Sequence, residues 1–328
     1  MSRCRWLLFN PDISKMNTRE AAMTAILTIL APIFIVLAAG YVLHRCGLFT
    51  DQYVEQSNQL IFYVFLPLLL FHKISQSDFE SLFSPGNLLV MVTAIGAVFL
   101  LSWIWGGLAH YPPSILSTFI NDNFRSNFVY IGLPVCYYAL GDGGLAIGSV
   151  LTALAVPVVN ILSVLAFSPV QNQHFNLRLF LLDLVKNPLI IGAASGIMFS
   201  LLEVPIPDFI AEALLLLTQL TLPLALCCIG ASLSLAIKPE HWPVLASSSL
   251  FKLFLLPLIA YGLMAALRLP LDTTAKALLI MLAAPSAEIN YTLAAQMNGE
   301  ADLAGTTIVI TTILSAFSYL IWLSLLNI

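Results

Sequence analysis

Ten apolar stretches, each near twenty residues and separated by short charged or turn-rich breaks, constrain this chain more than any single motif. They run approximately over 24–43, 57–74, 87–109, 114–140, 144–168, 179–202, 209–236, 243–267, 273–298 and 302–327. An α-helix rises about 1.5 Å per residue, so some twenty residues match a hydrocarbon layer about 30 Å thick. In that layer every backbone polar group has to be satisfied internally, and a helix does this within one segment. The expected fold is therefore an all-α integral membrane protein with ten transmembrane helices. Composition agrees: 59% of the 328 residues are hydrophobic and 9% are charged, against roughly 25% charged in a soluble domain. The longest connection, Ser168 to Arg178, spans about ten residues, and no stretch is followed by a soluble unit, so one membrane domain is expected.

An internal repeat orders the ten stretches. Pro32 and Gly40 in the first recur as Pro188 and Gly196 in the sixth, and Pro67 in the second (VFLPLLL) recurs as Pro223 in the seventh (LTLPLAL), all at an offset of 156. Gly141-Asp142 after the fourth and Gly299-Glu300 after the ninth are related by 158. Two five-helix repeats follow, 24–168 and 169–328, preceded by an N-terminal extension, 1–23. Five is odd, so the second half enters the membrane from the opposite side and the repeats are inverted.

The fourth stretch is polar where a span should be most apolar. In TFINDNFRSNFVYIGLPVCYYALG (Thr118 to Gly141), Asn121, Asp122, Asn123, Arg125, Ser126 and Asn127 follow Pro112-Pro113 by roughly ten to fifteen residues, near mid-bilayer. Pro134 comes next, and a proline leaves carbonyls without helical partners, which hydrocarbon cannot satisfy. The ninth stretch repeats the anomaly, with Pro285 midway between Asp272 and Asn298 and then Ser286, Glu288 and Asn290. Under the 158 offset the two windows, 127–134 and 285–292, coincide. Broken helices at equivalent places in inverted halves point to a transporter site, because half-helix ends aim partial charges at the midplane.

The expected substrate-binding residues are Asn123, Arg125, Ser126, Asn127, Ser286 and Asn290. An Asn amide offers both a donor and an acceptor, and Arg125 offers a fixed positive charge with a planar fork suited to a carboxylate. Glu288, costly at mid-membrane when ionised, is the expected proton-carrying coupling group. The competing reading is a kinked helix in which Asp122 and Arg125 pair at i,i+3 and the asparagines join neighbouring helices. Glu288 would then be a neutral carboxyl bonded to a neighbour.

The run FRSNFVYIGLPV with GDGGLA after it, KNPLIIGAASG (Lys186 to Gly196), APIFIVLAAGYVLHRCGL and LIFYVFLPLLLF together resemble the auxin efflux carrier family, including its bacterial members, over nearly the whole chain from Thr24 onward. The resemblance implies two inverted five-helix repeats, with helices 1, 2, 6 and 7 as a scaffold and 3–5 with 8–10 as a moving transport domain. Helices 4 and 9 would cross at the site, with Pro134 and Pro285 at the crossover. In the plant carriers a Pro-Asn pair marks the first crossing, matched here by Ser126-Asn127; the second crossover proline falls near Asn290. The plant members' long hydrophilic central loop is also missing. The resemblance thus implies a secondary transporter of organic anions, with dicarboxylates such as malate or malonate as the bacterial precedent, working by elevator-type alternating access. Its expected partners are a small organic anion, protons, the lipid bilayer and a second copy joined through the scaffold helices.

Other classes find less support. HExxH, GxSxG, GxxxxGK[ST] and GxGxxG are missing, and the histidines, His44, His72, His110, His174 and His241, fall at span ends where solvated roles are expected. No enzyme activity, cofactor or metal is expected; an intramembrane enzyme, a channel and a sensor are the alternatives. The net charge of −4 without a basic tract gives no basis for nucleic-acid binding. The five cysteines, Cys4, Cys46, Cys136, Cys227 and Cys228, lack CxxC spacing, so neither a disulfide framework nor a zinc site is indicated. The apolar patch Trp6 to Phe9 is too short for a signal peptide, and Met16 and Met23 stand close before the first span as alternative starts. Basic residues favour the cytoplasmic side. The side bearing the N-terminus holds Arg3, Arg5, Lys15, Arg19, Lys73, Arg268 and Lys276, and the other holds Arg45, Arg178, Lys186 and Lys238, a balance that turns on the extension. The expected location is the inner membrane, multi-pass, with both termini outside as the resemblance implies.

Overall fold

The computed structural model describes residues 18–78, 84–170, 182, 185–233 and 238–328; Arg3, Cys4, Arg5, Lys15, His174 and Arg178 lie outside the described residues, as does most of the extension 1–23. Among the described residues no strand occurs. The helices are α1 (Thr18–Arg45), α2 (Asp51–Leu60), α3 (Leu66–Ser75), α4 (Pro85–Leu108), α5 (Pro113–Phe124), α6 (Leu133–Phe167), α7 (Pro188–Leu201), α8 (Asp208–Gln219), α9 (Thr221–Ser232), α10 (Trp242–Leu250), α11 (Leu256–Ala266), α12 (Thr273–Leu282), α13 (Ile289–Gln296) and α14 (Ala301–Leu325).

Among the described residues, seven helical stretches are long and apolar enough to cross a membrane: Ile26–Arg45, Asp51–Ser75, Pro85–Leu108, Phe128–Phe167, Asp208–Ser232, Pro239–Ala266 and Ala301–Leu325. Pro188–Leu201 and Thr273–Leu282 are apolar but shorter. The start of the expected sixth span, 179–202, falls largely outside the described residues, and the rest of the difference from ten has local causes. Phe128–Phe167 joins the end of the expected fourth span to all of the fifth; its 40 residues amount to about 60 Å of helix, twice the hydrocarbon thickness. It bends at Gly141, whose φ of 71° and ψ of −158° no side-chain-bearing residue adopts readily. The fourth and ninth expected spans are each cut in two, leaving α5 and α12 too short to be counted.

Prolines shape the helices in a consistent way. Three π turns, Ile61–Phe65, Phe128–Gly132 and Phe251–Leu255, each run into a Leu-Pro pair: Leu66-Pro67, Leu133-Pro134 and Leu256-Pro257. A proline ring clashes with the carbonyl one turn back and supplies no N–H. Widening the turn before it relieves the clash, and each leucine N–H bonds five residues back, to Ile61, Phe128 and Phe251 respectively.

Packing repeats with the same offset as the sequence. A Cβ on Gly40 would overlap the Cys227 carbonyl, and one on Gly196 would strike the backbone of Phe71. Adding 156 to Gly40 and subtracting it from Cys227 turns the first contact into the second. The glycines let α1 approach α9 and α7 approach α3 closely, a device common where helices pack in a membrane. Gly192 and Gly196 thus serve packing within the chain. Large apolar side chains, among them Ile35, Leu108, Phe209, Leu216 and Phe317, are left exposed on the outside, as a lipid-facing surface requires and as a soluble monomer avoids. His72 and His241 depart from expectation. Both are buried, because α3 and the start of α10 pack against neighbouring helices at those points; His44 instead meets Asp51 at 3.0 Å near the surface.

Candidate functional site

The two breaks are bonded to each other. Regular helix stops at Phe124 and resumes in the π turn at Phe128, and it stops again at Leu282 and resumes at Ile289. Between them Ser126 and Ser286 form an antiparallel bridge: Asn127 N donates to Pro285 O at 2.7 Å, and Ala287 N donates to Arg125 O at 3.1 Å. Each break thereby supplies partners for backbone groups the other has freed, which is what lets non-helical backbone persist at this depth. The Ser286 hydroxyl donates to Asp122 O at 2.7 Å, and Ser286 N donates to Thr311 Oγ1 at 3.2 Å, tying the crossing to α14.

Pro285 lies in its break. Pro134 does not: it stands just past the π turn in a helix that continues, where the widened turn relieves the clash of its ring with the preceding carbonyls. The first break therefore sits at Arg125–Asn127, slightly ahead of the expected window, because the polar residues rather than the proline interrupt the helix. The bridged serines are 160 residues apart, two more than the expected offset.

The carboxyl ends of α5 and α12 both point into this crossing, and each carries partial negative charge. Two basic side chains lie beside them. Arg125 itself follows the last residue of α5. Lys252, in the third π turn, is fully buried and donates to Ser126 Oγ, which in turn donates to Leu282 O at 3.3 Å.

Arg125 does not pair with Asp122. Its guanidinium donates to Asn160 Oδ1 at 2.8 Å and Ser163 Oγ at 3.0 Å, both on α6. Ser163 passes the link on to Asn121 Oδ1 at 2.7 Å. Asp122 is buried, and its carboxyl oxygens meet no donor with hydrogen-bond geometry.

A cavity of about 1350 Å³ lies over the crossing. Arg125, Ser126, Asn127, Asn160 and Glu288 line it together with Asn58, Ser232, Phe62, Val156 and Ile308. Its rim carries Asp51, just beyond the end of α1, and Asp302, at the start of α14, so it opens on the face opposite that where α1 begins and α14 ends. Lys238 at the rim pairs with Asp302 at 2.6 Å, and that carboxylate holds the lysine's pKa above its ordinary value. On the far face Lys73 on α3 reaches Asp142 beside the Gly141 bend at 2.6 Å.

The other expected site residues divide. Asn127 Oδ1 accepts from Tyr130 N at 3.1 Å and caps the π turn, while its Nδ2 has no partner. Glu288 is half-buried and accepts from Asn58 Nδ2 at 3.3 Å. Asn290 is fully buried behind the cavity wall, its amide beside the Asp122 carboxyl but outside hydrogen-bond geometry. Asn123 faces away from the cavity; it donates to Ser102 at 3.0 Å and accepts from Ser248 at 2.6 Å, joining α5 to α4 and α10. Asn58, Asn160, Ser163 and Lys252 were not singled out from sequence for the site. Asn160 in VPVVNILSV and Lys252 in a leucine-rich run are polar residues within spans, and that is the signal that marks them.

A family description, membrane transport protein, matches residues 25–323. The chain belongs to this family. It is the family of the auxin efflux carriers, as the sequence motifs suggested. This carrier-family chain is also similar to an uncharacterised transporter of Methanocaldococcus jannaschii, 24% identical over 301 residues that cover 88% of this chain and 95% of the relative. The family makes the protein a multi-pass membrane transporter, and the apolar helices fit that assignment.

Proposed function

We propose that the protein is a secondary transporter that moves a small organic carboxylate across the inner membrane by elevator-type alternating access. The observation that carries this is the pair of mutually bonded breaks under a cavity open to one face, with an arginine there that has neutral partners only. In this reading ten crossings form two inverted repeats: α1, α2–α3, α7 and α8–α9 are the scaffold, and the rest moves as the transport domain. The glycine contacts related by 156 support the repeat, and the 40-residue stretch bent at Gly141 supplies two of the crossings. Arg125 and Asn127 bind the anion, with Ser126 and Ser286 holding the crossing beneath it. Glu288 loads and releases the coupling proton, since it faces the cavity with an amide donor and no cation beside it. With both termini outside, the cavity opens to the cytoplasm.

Reconstituted vesicles test the proposal. Carboxylates trapped inside should drive saturable exchange with labelled carboxylate outside. Flux that rises linearly with concentration would make the protein a channel. Absence of flux together with an unchanged thermal midpoint for every carboxylate would favour a sensor of other ligands.

A further inference from the structure

Among the charged residues that line the cavity are Arg125 and Lys238 on one side of the balance and Asp51, Glu55, Glu288 and Asp302 on the other. Lys238 is committed to Asp302 at the rim. That leaves Arg125 as the cation facing the interior and Glu288 as the carboxyl lying deepest, one residue from the backbone bond between Ala287 and Arg125. No ion pair joins these two among the described residues; each has neutral hydrogen-bond partners instead, Asn160 and Ser163 for the first and Asn58 for the second.

A dicarboxylate fits this arrangement poorly. Its first carboxylate would take Arg125, and its second would meet a wall that already holds a net excess of carboxyls, in a confined space where like charges repel more strongly than in water. A plain amine fits no better, because Arg125 cannot give up its charge. A molecule with both groups satisfies both walls at once. Phe62, Val156 and Ile308 then cover its apolar remainder.

We propose that the substrate is an amino acid, held by its carboxylate at Arg125 and by its ammonium at Glu288. This rests on the reading of the cavity as a carboxylate site and narrows it. A consequence concerns coupling. The Glu288 carboxylate holds either a proton or the substrate ammonium, so the two compete, and transport of the amino acid is exchanged for a proton moving the other way. Asn58 positions the carboxyl for either occupant and is a scaffold contribution to the site.

The test uses the full chain, purified and also reconstituted in vesicles. The probes are alanine, leucine, 4-aminobutyrate and 6-aminohexanoate, each beside the acid lacking its amine and the amine lacking its carboxylate, with succinate added. The spread of chain lengths lets the separation between Arg125 and Glu288 select its own ligand. At least one amino acid should raise the thermal midpoint and exchange saturably, with its two half-molecules at least tenfold weaker. Binding of that amino acid should weaken as the pH falls, and Glu288→Gln should remove both the pH effect and the preference over the deaminated acid. Asn58→Asp should leave the fold intact, judged by monodispersity, and strengthen binding of the amine half. If succinate or a deaminated acid binds as well as every amino acid, the inference fails while the carboxylate carrier stands. If nothing on the panel binds or exchanges, both fail.

Discussion

Arg125→Lys separates a guanidinium site from a merely positive one. The guanidinium donates to Asn160 and Ser163 at once, and its remaining N–H groups are available to a carboxylate. A lysine keeps the charge but has a compact head that cannot span both side chains and the substrate. One charge-assisted hydrogen bond is worth roughly 1.5–3 kcal/mol. Losing the geometry of one such bond to the substrate therefore raises the half-saturating concentration by about 10- to 150-fold, at about 1.4 kcal/mol per decade. The assay is exchange in vesicles over a range of substrate concentration, with the thermal midpoint of the unliganded protein as the control for folding. A lysine variant with wild-type half-saturation would show that Arg125 neutralises the end of α5 and does not touch the substrate. A loss of the folded protein in Arg125→Lys, with wild-type exchange by whatever folds, would lead to the same conclusion.

Other expectations follow from the same contacts. Asn123→Leu should destabilise the protein by about 1–3 kcal/mol for each of Ser102 and Ser248 left without a partner, seen as a lowered unfolding midpoint; changing both serines to Ala in the same chain should recover most of it, and no recovery would mean the asparagine acts otherwise. Gly40→Leu and Gly196→Leu should each push apart a helix pair, α1 from α9 or α7 from α3, and reduce folded yield, whereas Gly107→Ala, with open space at its Cβ, should leave folding unchanged or slightly improved; equal effects at all three would refute the close-packing argument. Lys73→Met should ease opening on the far face by no more than about 1 kcal/mol, since Asp142 is largely exposed, read as a few-fold gain in labelling of a cysteine placed at Tyr138; unchanged labelling would mean the ion pair is not part of the closure.

Membrane class and the approximate place of the seven long apolar helical stretches were legible in sequence because hydrocarbon admits so few solutions: an apolar run of bilayer length has to be a helix. The breaks were legible for the converse reason, since Asn121 to Asn127 and Pro285 to Asn290 are residues a lipid-embedded helix does not tolerate without protein around it. Sequence could not decide which of those polar groups face a ligand. Asn123 and Arg125 are two residues apart, yet one is consumed in tying helices together and the other lines the cavity. At a break the helical period no longer sets side-chain direction, so only the neighbours do. Those neighbours come from far along the chain: Asn58, Asn160, Ser163 and Lys252 reach the crossing from three other segments, brought there by packing of α2, α6 and the turn before α11. The same holds for Pro134. Sequence marked it as a breaker, and tertiary structure placed it just past a widened turn where the helix continues, because the Ser126–Ser286 bridge had already taken up the unpaired backbone a few residues earlier.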